Sequence, residues 1–564
     1  MATKYIAPTP VYFLDRTWPS RAITESPIWV SVDLRDGNQA LPNPMNPEQK
    51  LEFFQLLCKI GFKEIEVGFP SASEDDFNFV RRLIEENLIP EDVTIMVLTQ
   101  CRPHLIEKTF EAIKGAKRVI VHAYCATSEL HMSRVFKMSP EQTLEMIVRA
   151  IRQIRALADA MPETDIRLEF SPEEFTDTDP NFALQVCEAV FETWGKATEE
   201  KPLIFNLPAT VERRTPDQYA DMIEWFCENF SQRQKILVSV HAHNDQGMAV
   251  AATEFALRAG ADRVEGTLFG HGERTGNLDI VTLALNLRFR GIDTGLDFSN
   301  LPRIIEVVEK LTGMPVSARH PYAGELVTTA FSGSHQDGIK KGMGFREDGG
   351  WKVPYLHFDP QDLGRSYEPL IRINTQSGKG GVAWVLETQF GIRPPKAMHP
   401  EIGAAIQKFA ERVGREITPQ EVYNAFMREF TDGAKSPYAG PYNLTGFWPR
   451  PNKDFPGTVH GELRIWVREE VKRVKATGNG PIAAFVNCLR ALEIDGFEVE
   501  DYDEQAIGSG SDAKAMAFVP IRFKDGTCFY GAGVDENTSQ AAVLAIVGAL
   551  NRHAIAKYEG RLEK

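Results

Sequence analysis

Between residues 28 and 270 the chain repeats one unit: a short apolar run rich in Val and Ile, then a longer stretch with helical periodicity. The runs are IWVSVDL from residue 28, KEIEVGF from 63, VTIMVLT from 93, RVIVHAY from 118, IRLEFSP from 166, LIFNLPA from 203, ILVSVHAH from 236 and RVEGTLFG from 263. Their starts lie roughly 25 to 48 residues apart, room for one crossover helix each time, which makes the strands parallel. The intervening stretches, such as PEQKLEFFQLLCKIGF (47–62) and TPDQYADMIEWFCENF (215–230), place their apolar residues on one helix face. Both carry Pro at the start, where its missing N–H is not needed. Eight βα units are the number that closes a (β/α)8 barrel. An open doubly wound sheet should instead show a Gly-rich phosphate turn after its first strand, and DLRDGNQA is not GxGxxG. The expected fold is α/β, a (β/α)8 TIM barrel.

Beyond about residue 310 the pattern changes. Residues 310–430 read as a smaller helical region, with a Gly-rich loop NTQSGKGG (374–381) that is either backbone close to a ligand or an ordinary turn. SPYAGPYNLTGFWPRPNKDFPG (436–457), dense in Pro and Gly, reads as a linker. Two similar halves follow, each of strands, a Gly-rich turn and a helix: ELRIWVREEV with GNGPIAAFVNCLRAL, then AMAFVPIRF with GAGVDENTSQAAVLAIVGAL. The expected division is a barrel domain over 1–305, linker subdomains over 306–435 and a C-terminal α+β domain over 436–564.

A chain of 564 residues is too long for a single core, as this division requires. A net charge of -15 argues against a nucleic-acid partner. The seven cysteines are scattered, odd in number and without CxxC spacing, as expected of free thiols in a reducing cytoplasm. No apolar stretch has the length of a transmembrane helix, and the N-terminus lacks the apolar core of a signal peptide. A cytoplasmic chain with no membrane partner is expected.

Barrel enzymes keep their chemistry at the C-terminal ends of the strands, and those ends can be read directly. Strand 1 ends in Arg35 and Asp36, strand 3 in Thr99 and Arg102, and strand 4 carries His122. Strand 5 carries Glu169 and Glu173, and strand 6 gives Asn206 and Thr210. Strand 7 gives His241 and His243, and the loop after strand 8 gives Glu273, Arg274 and Asn277. His241 and His243 stand two residues apart in a strand, so their side chains share a face. Such a pair can chelate a divalent metal or simply hydrogen-bond at a strand end.

LRDGNQA after strand 1, HAHND after strand 7 and GERTGN after strand 8 together resemble the α-isopropylmalate synthase family. Its relatives include homocitrate and citramalate synthases and, more distantly, the lyase that cleaves hydroxymethylglutaryl-CoA. FNLPATVE (205–212), AFSGSHQDGI (330–339) and NTQSGKGGVAW (374–384) narrow the resemblance to the longer form of the isopropylmalate synthases. One departure is His271 in GHGERTGN, where the family pattern has Asn; it borders the metal site and is expected to alter hydrogen bonding around the ligands.

The resemblance implies a Claisen-type condensation of acetyl-CoA with 3-methyl-2-oxobutanoate, then thioester hydrolysis to 2-isopropylmalate and CoA, at the committed step of leucine biosynthesis. It implies a divalent metal, Mg2+ first and Mn2+ or Zn2+ as alternatives, on Asp36, His241 and His243, with Asn277 as a weaker fourth ligand. Asp33 is the competing carboxylate and is left a structural role. Arg35 would aim its charge at the oxygen that becomes an alkoxide, or else pair with a neighbouring acid. Glu173, His122 and Thr210 would contact the keto acid, Thr210 through its hydroxyl unless it is only a strand-end cap; Glu169 would be a structural partner. The base that takes the methyl proton would lie outside the barrel, with His335 and Tyr355 in a linker that crosses to the other subunit of a homodimer. The C-terminal duplication would be a regulatory domain binding L-leucine as feedback inhibitor near GNGP (478–481) and GSGSD (508–512), or a pure dimerisation scaffold. A sister synthase for pyruvate or 2-oxoglutarate, or a catalytically dead leucine sensor, are the alternatives.

Overall fold

The computed structural model describes residues 15–330, 332–344, 350–365, 379–431, 440–508 and 513–558. It divides into two compact units, one running through Val327 and including Pro360–Arg365, the other comprising Thr328–Asp359 and the chain beyond Arg365. In the first unit eight strands close a parallel barrel in chain order: β1 Ile28–Ser31, β2 Glu64–Gly68, β3 Thr94–Gln100, β4 Arg118–Ala126, β5 Asp165–Glu173, β6 Leu203–Ala209, β7 Ile236–Ala242 and β8 Arg263–Gly266. The ring shuts where Ile28–Ser31 of β1 runs beside Arg263–Gly266 of β8. Each expected run has become a strand.

Local chemistry starts and stops the helices between them. In the helix Pro47–Ile60, Asn46 and Gln49 satisfy each other's backbone N–H groups at the N-terminus. The helix ends at Gly61, whose φ of +115° excludes a side chain, and a Cβ there would sit 2.6 Å from the Gly295 carbonyl oxygen. The last helix of this unit, Leu301–Thr312, buries Leu301, Ile304, Val308 and Leu311. It therefore continues the barrel unit past residue 305, where the sequence had suggested a boundary.

The barrel interior is more charged than the branched aliphatic filling common to this fold. Val30, Val32, Met96, Ile120 and Ile204 form a small apolar cluster. Beside it Arg263, wholly buried, donates from Nε to Glu64 at 2.6 Å and from Nη1 to Glu265 at 2.7 Å, while its Nη2 lies 3.0 Å from Glu169. Burial, with Glu265 and Glu66 nearby, pushes the Glu169 carboxyl well up toward its neutral form.

In the second unit the helices Gly333–Gly344, Lys379–Phe390, His399–Val413 and Pro419–Phe430 precede two sheets. The first sheet has the order β11-β10-β9, from β9 Tyr442–Pro451, β10 Val459–Val467 and β11 Glu470–Gly478, and is followed by the helix Pro481–Ala491. The second joins β12 Phe497–Val499, β13 Asp503–Ile507, β14 Lys514–Phe523 and β15 Cys528–Asp535, and is followed by the helix Thr538–Tyr558. The expected duplication is thus present. Leu463, Ile465, Phe485, Val519, Ile521 and Leu544 share the core between the halves. On the other face of β14, Met516 and Phe518 pack against Ile402, Ile406 and Phe426 of the preceding helices.

The segment read as a linker is in large part β9. The prolines of β9, Pro449 and Pro451, are tolerated because β9 is an edge strand that, among the described residues, pairs only with β10. Residues 374–378 of NTQSGKGG and 509–512 of GSGSD lie outside the described residues. Among the described residues no helix is long and apolar enough to cross a membrane. All seven cysteines are free thiols.

Replacing Arg263 with Met leaves Glu64, Glu169 and Glu265 without their shared cation. Breaking a buried ion pair from one side costs about 3–5 kcal/mol, and the urea stability of the barrel should fall by that amount. Tryptophan fluorescence during urea unfolding checks this; a loss below about 1 kcal/mol, the scale of a surface pair, would contradict it.

Candidate metal centre and active site

At Val32 the chain leaves β1 and makes one π-helical turn, Asp33–Gly37. The amides of Asp36 and Gly37 both donate to the Val32 carbonyl, at 2.9 and 3.1 Å. This wider turn brings Arg35 and Asp36 together at the barrel mouth. Arg35 donates from Nη1 to Asp36 Oδ1 at 2.6 Å and from Nε to Glu66 Oε2 at 2.5 Å. Burial resists charge on Asp36, but Arg35 beside it and the two histidines hold its carboxyl well below the usual range. Asp33 turns the other way. Its carboxylate accepts from Ser31 Oγ at 2.7 Å and from the Leu268 amide at 3.0 Å, tying the turn to the loop after β8, and burial raises it to about 7.

His241 and His243 reach Asp36 from β7, one strand beyond β8, which pairs with β1. Their Nε2 atoms lie 3.6 and 3.5 Å from Asp36 Oδ2, and the three ligand atoms fall within 4.8 Å of one another. Asp36 Oδ2 and both ring nitrogens of His243 are buried without a hydrogen-bond partner. Such groups cost about 1–3 kcal/mol each unless something else binds them. One carboxylate and two imidazoles converging on a point suit a divalent cation. Burial pushes His243 below the ordinary imidazole range, toward the neutral form that ligates. Burial acts on His241 the same way, but Asp36 and Glu265 outweigh it and raise the ring to about 9, so an entering cation displaces a proton. Glu265 lies 3.1 Å from His241 Nδ1, leaving Nε2 toward the site.

Asn277 presents Oδ1 to His241 Nε2 at 3.0 Å, while its Nδ2 donates to the His271 carbonyl at 2.8 Å, which fixes the oxygen end of the amide toward the triad. The contact uses the backbone of His271 and not its side chain. The His271 ring itself is kept neutral by burial, at about 4, and its Nε2 has no hydrogen-bond partner.

A cavity of about 310 Å³ opens on this cluster, lined by Arg35, Asp36, His122, Glu173, Thr210, His241 and His243 among others. His122 is fixed at both nitrogens, Nδ1 to Glu66 at 2.8 Å and Nε2 to Ser171 Oγ at 2.7 Å. Thr210 Oγ1 accepts from the Glu174 amide at 2.9 Å, so the hydroxyl proton is free to donate. Burial and the adjacent Glu174 raise Glu173 above the ordinary carboxylate range. Strand 3 delivers Leu98 to the cavity; Thr99 and Arg102, expected there, do not line it, Thr99 because side chains alternate along the strand and Arg102 because it lies past the strand's end, at the N-cap of the next helix. Glu169 lies deeper, against Arg263.

The sequence reading missed Glu66, Ser171 and Glu265. The available signal was charge inside apolar strands: Glu64 with Glu66 and Arg263 with Glu265 stand at i, i+2 and so share the interior face. His335 and Tyr355 belong to the second unit, where their exposed rings stack with centroids 4.0 Å apart.

Three comparisons bear on this arrangement. Residues 26–308 match the family model described as HMGL-like, 325–387 that of the alpha-isopropylmalate synthase post-catalytic domain, and 417–554 that of the LeuA allosteric (dimerisation) domain. The chain is 47% identical to a 2-isopropylmalate synthase of Clostridium acetobutylicum, over 97% of this chain and 99% of that one. It is 49% identical to the enzyme of that name from Rhodospirillum rubrum, over 97% and 98%. The corresponding Azotobacter vinelandii protein is 48% identical over 97% and 96%.

Isothermal titration with Mn2+ tests the cluster. Asp36→Asn should remove binding, and Glu265→Gln should weaken it about 10–100-fold by freeing the His241 ring. Glu273→Gln, at the cavity rim beside Gln39, should bind as wild type. Unchanged affinity in Asp36→Asn would place the ion elsewhere.

Proposed function

The chain belongs to the 2-isopropylmalate synthase family, and from that premise we propose how its own residues carry the reaction. It is an acyltransferase that condenses acetyl-CoA with 3-methyl-2-oxobutanoate and hydrolyses the thioester, giving 2-isopropylmalate and CoA in leucine biosynthesis. What carries the residue-level reading is the unpaired trio of Asp36 Oδ2 and the His243 nitrogens beside His241, with Arg35 next to them. Asp36, His241 and His243, with the Asn277 amide oxygen as a fourth ligand, would hold a divalent cation, which when bound would supply Lewis acidity to the keto carbonyl. We assign Mg2+, since the keto acid would add further hard oxygens to the carboxylate and amide.

Arg35 is held by Glu66 and Asp36 through Nε and Nη1, and Nη2 serves the carbonyl oxygen as it gains negative charge. Thr210 donates its hydroxyl proton to the keto acid's carboxylate. His122, fixed by Glu66 and Ser171, packs against the same substrate. Glu173, raised by burial, can hold a proton nearer neutral pH than an ordinary carboxylate. His335 and Tyr355 form the acid–base pair that removes the proton from the acetyl methyl group, in a site completed by the second subunit of a homodimer. The resulting enolate carbon attacks the keto carbon, whose carbonyl electron pair moves to oxygen and is protonated. Water then adds to the thioester and CoA leaves as the thiol.

L-leucine acts as feedback inhibitor at the C-terminal duplication, around Gly478–Pro481, where the turn leads into the N-terminus of the helix Pro481–Ala491. The match to an allosteric (dimerisation) domain supports both the inhibitor and the dimer. The setting is the cytoplasm, where acetyl-CoA and free thiols coexist.

Free-thiol release from acetyl-CoA, measured with 3-methyl-2-oxobutanoate, pyruvate and 2-oxoglutarate in turn, tests this reading. Release should be fast with the branched acid alone and suppressed by leucine. Preference for another acid would move the chain to a sister activity, and silence with all three would revive the sensor. Arg35→Gln should lower kcat about 10²–10³-fold, the cost of one lost donor to a developing oxyanion.

A further inference from the structure

Arg274, in the loop after β8, lines the mouth and has no role in the mechanism above. Its φ of +56° lies in the left-handed region, which a residue with a side chain enters at a cost. The guanidinium takes both oxygens of Asp245, Nε to Oδ1 at 2.6 Å and Nη2 to Oδ2 at 3.1 Å, and Nη2 also donates to the Thr210 carbonyl at 2.7 Å. Asp245 Oδ2 accepts in turn from the Glu212 amide at 2.9 Å. One side chain thereby joins the loops after β6, β7 and β8.

Thr210 is gripped from its other side as well. The amide bonded to its hydroxyl oxygen belongs to Glu174, which also has a left-handed backbone, at φ +60°. The Glu174 carboxylate is itself anchored by the Ser128 hydroxyl. Two strained residues thus bracket one threonine, one at its carbonyl and one at its hydroxyl, and strain of this kind persists only where the surrounding contacts over-determine it. The side chain of Arg274 is 41% exposed, and an ion pair so exposed contributes little to stability, so the pairing with Asp245 alone gives no reason for the arrangement. The third hydrogen bond, to Thr210, does. A lysine, with one nitrogen in place of a planar fork, cannot span both partners in the same geometry.

We propose that Arg274 is a positioning residue for the keto acid, acting through Thr210: it locks the loops after β6, β7 and β8 so that the Thr210 hydroxyl stays aimed at the substrate carboxylate. This rests on the reading of Thr210 given above. The test is a double-mutant cycle in the full-length protein with saturating Mg2+, measuring KM for each substrate. Thr210→Val removes the hydroxyl and keeps the shape; Arg274→Gln removes the clamp, and Arg274→Lys repeats the test with the charge retained. Each single change should raise KM for 3-methyl-2-oxobutanoate about 10–100-fold, the scale of one hydrogen bond to a charged group. KM for acetyl-CoA should stay within about twofold, since uniform binding of that substrate is untouched. The double variant Thr210→Val with Arg274→Gln should be no worse than Thr210→Val alone, the non-additivity expected of coupled residues. Effects that multiply, or a loss shared equally by both substrates, would overturn the clamp while leaving Thr210 as the anchor. An unchanged KM in Thr210→Val would overturn the anchor and the clamp together.

Discussion

Arg35 donates to Glu66 and Asp36 at once, and the rest of the mouth is arranged around that fork. Asp36, Glu64, Glu66, Glu169 and Glu265 are buried carboxylates in the barrel, faced by the buried Arg263 and the partly buried Arg35. Carboxylates outnumber guanidinium groups there, a costly interior unless the excess charge is met by protons or cations. Glu169 is pushed toward its neutral form, and Asp36 is left with one oxygen unpaired beside two histidines. A divalent cation at that oxygen would complete the compensation. The same charges order the candidate ligands: Glu265 orients His241, and Glu66 fixes both Arg35 and His122.

The barrel makes this possible by delivering short, rigid strand ends to one face. The candidate ligands come from three neighbouring strand ends: Asp36 after β1, the histidines from the end of β7 and Asn277 from the loop after β8. The π turn is the local device that lets consecutive residues, Arg35 and Asp36, both take part, since in a straight strand they would face opposite ways. The second unit carries different work. Its duplicated sheets share a core with one another, and β14 is buried on both faces, which joins the α+β region to the preceding helices as one body.

Much of this was legible in the sequence, for physical reasons. Eight apolar runs with helical stretches between them admit few folds, and strand ends such as HAHND announce themselves because polar residues interrupt Val-rich runs. Less legible were features that depend on three-dimensional charge balance. Glu66 and Glu265 sit inside strands and are buried by the closed barrel, which one strand's sequence does not show. β9 was hidden by its prolines, which an edge strand accepts. That the contact orienting Asn277 comes from the His271 carbonyl, which any residue supplies, was likewise not legible.

The central claim is that Asp36, His241 and His243 surround the catalytic cation. Anomalous diffraction from crystals of the full-length protein grown with Mn2+ tests it most directly. The account predicts a single strong peak bonded to Asp36 Oδ2 and to the Nε2 atoms of His241 and His243. No peak there, or a peak bound to other residues, would contradict it.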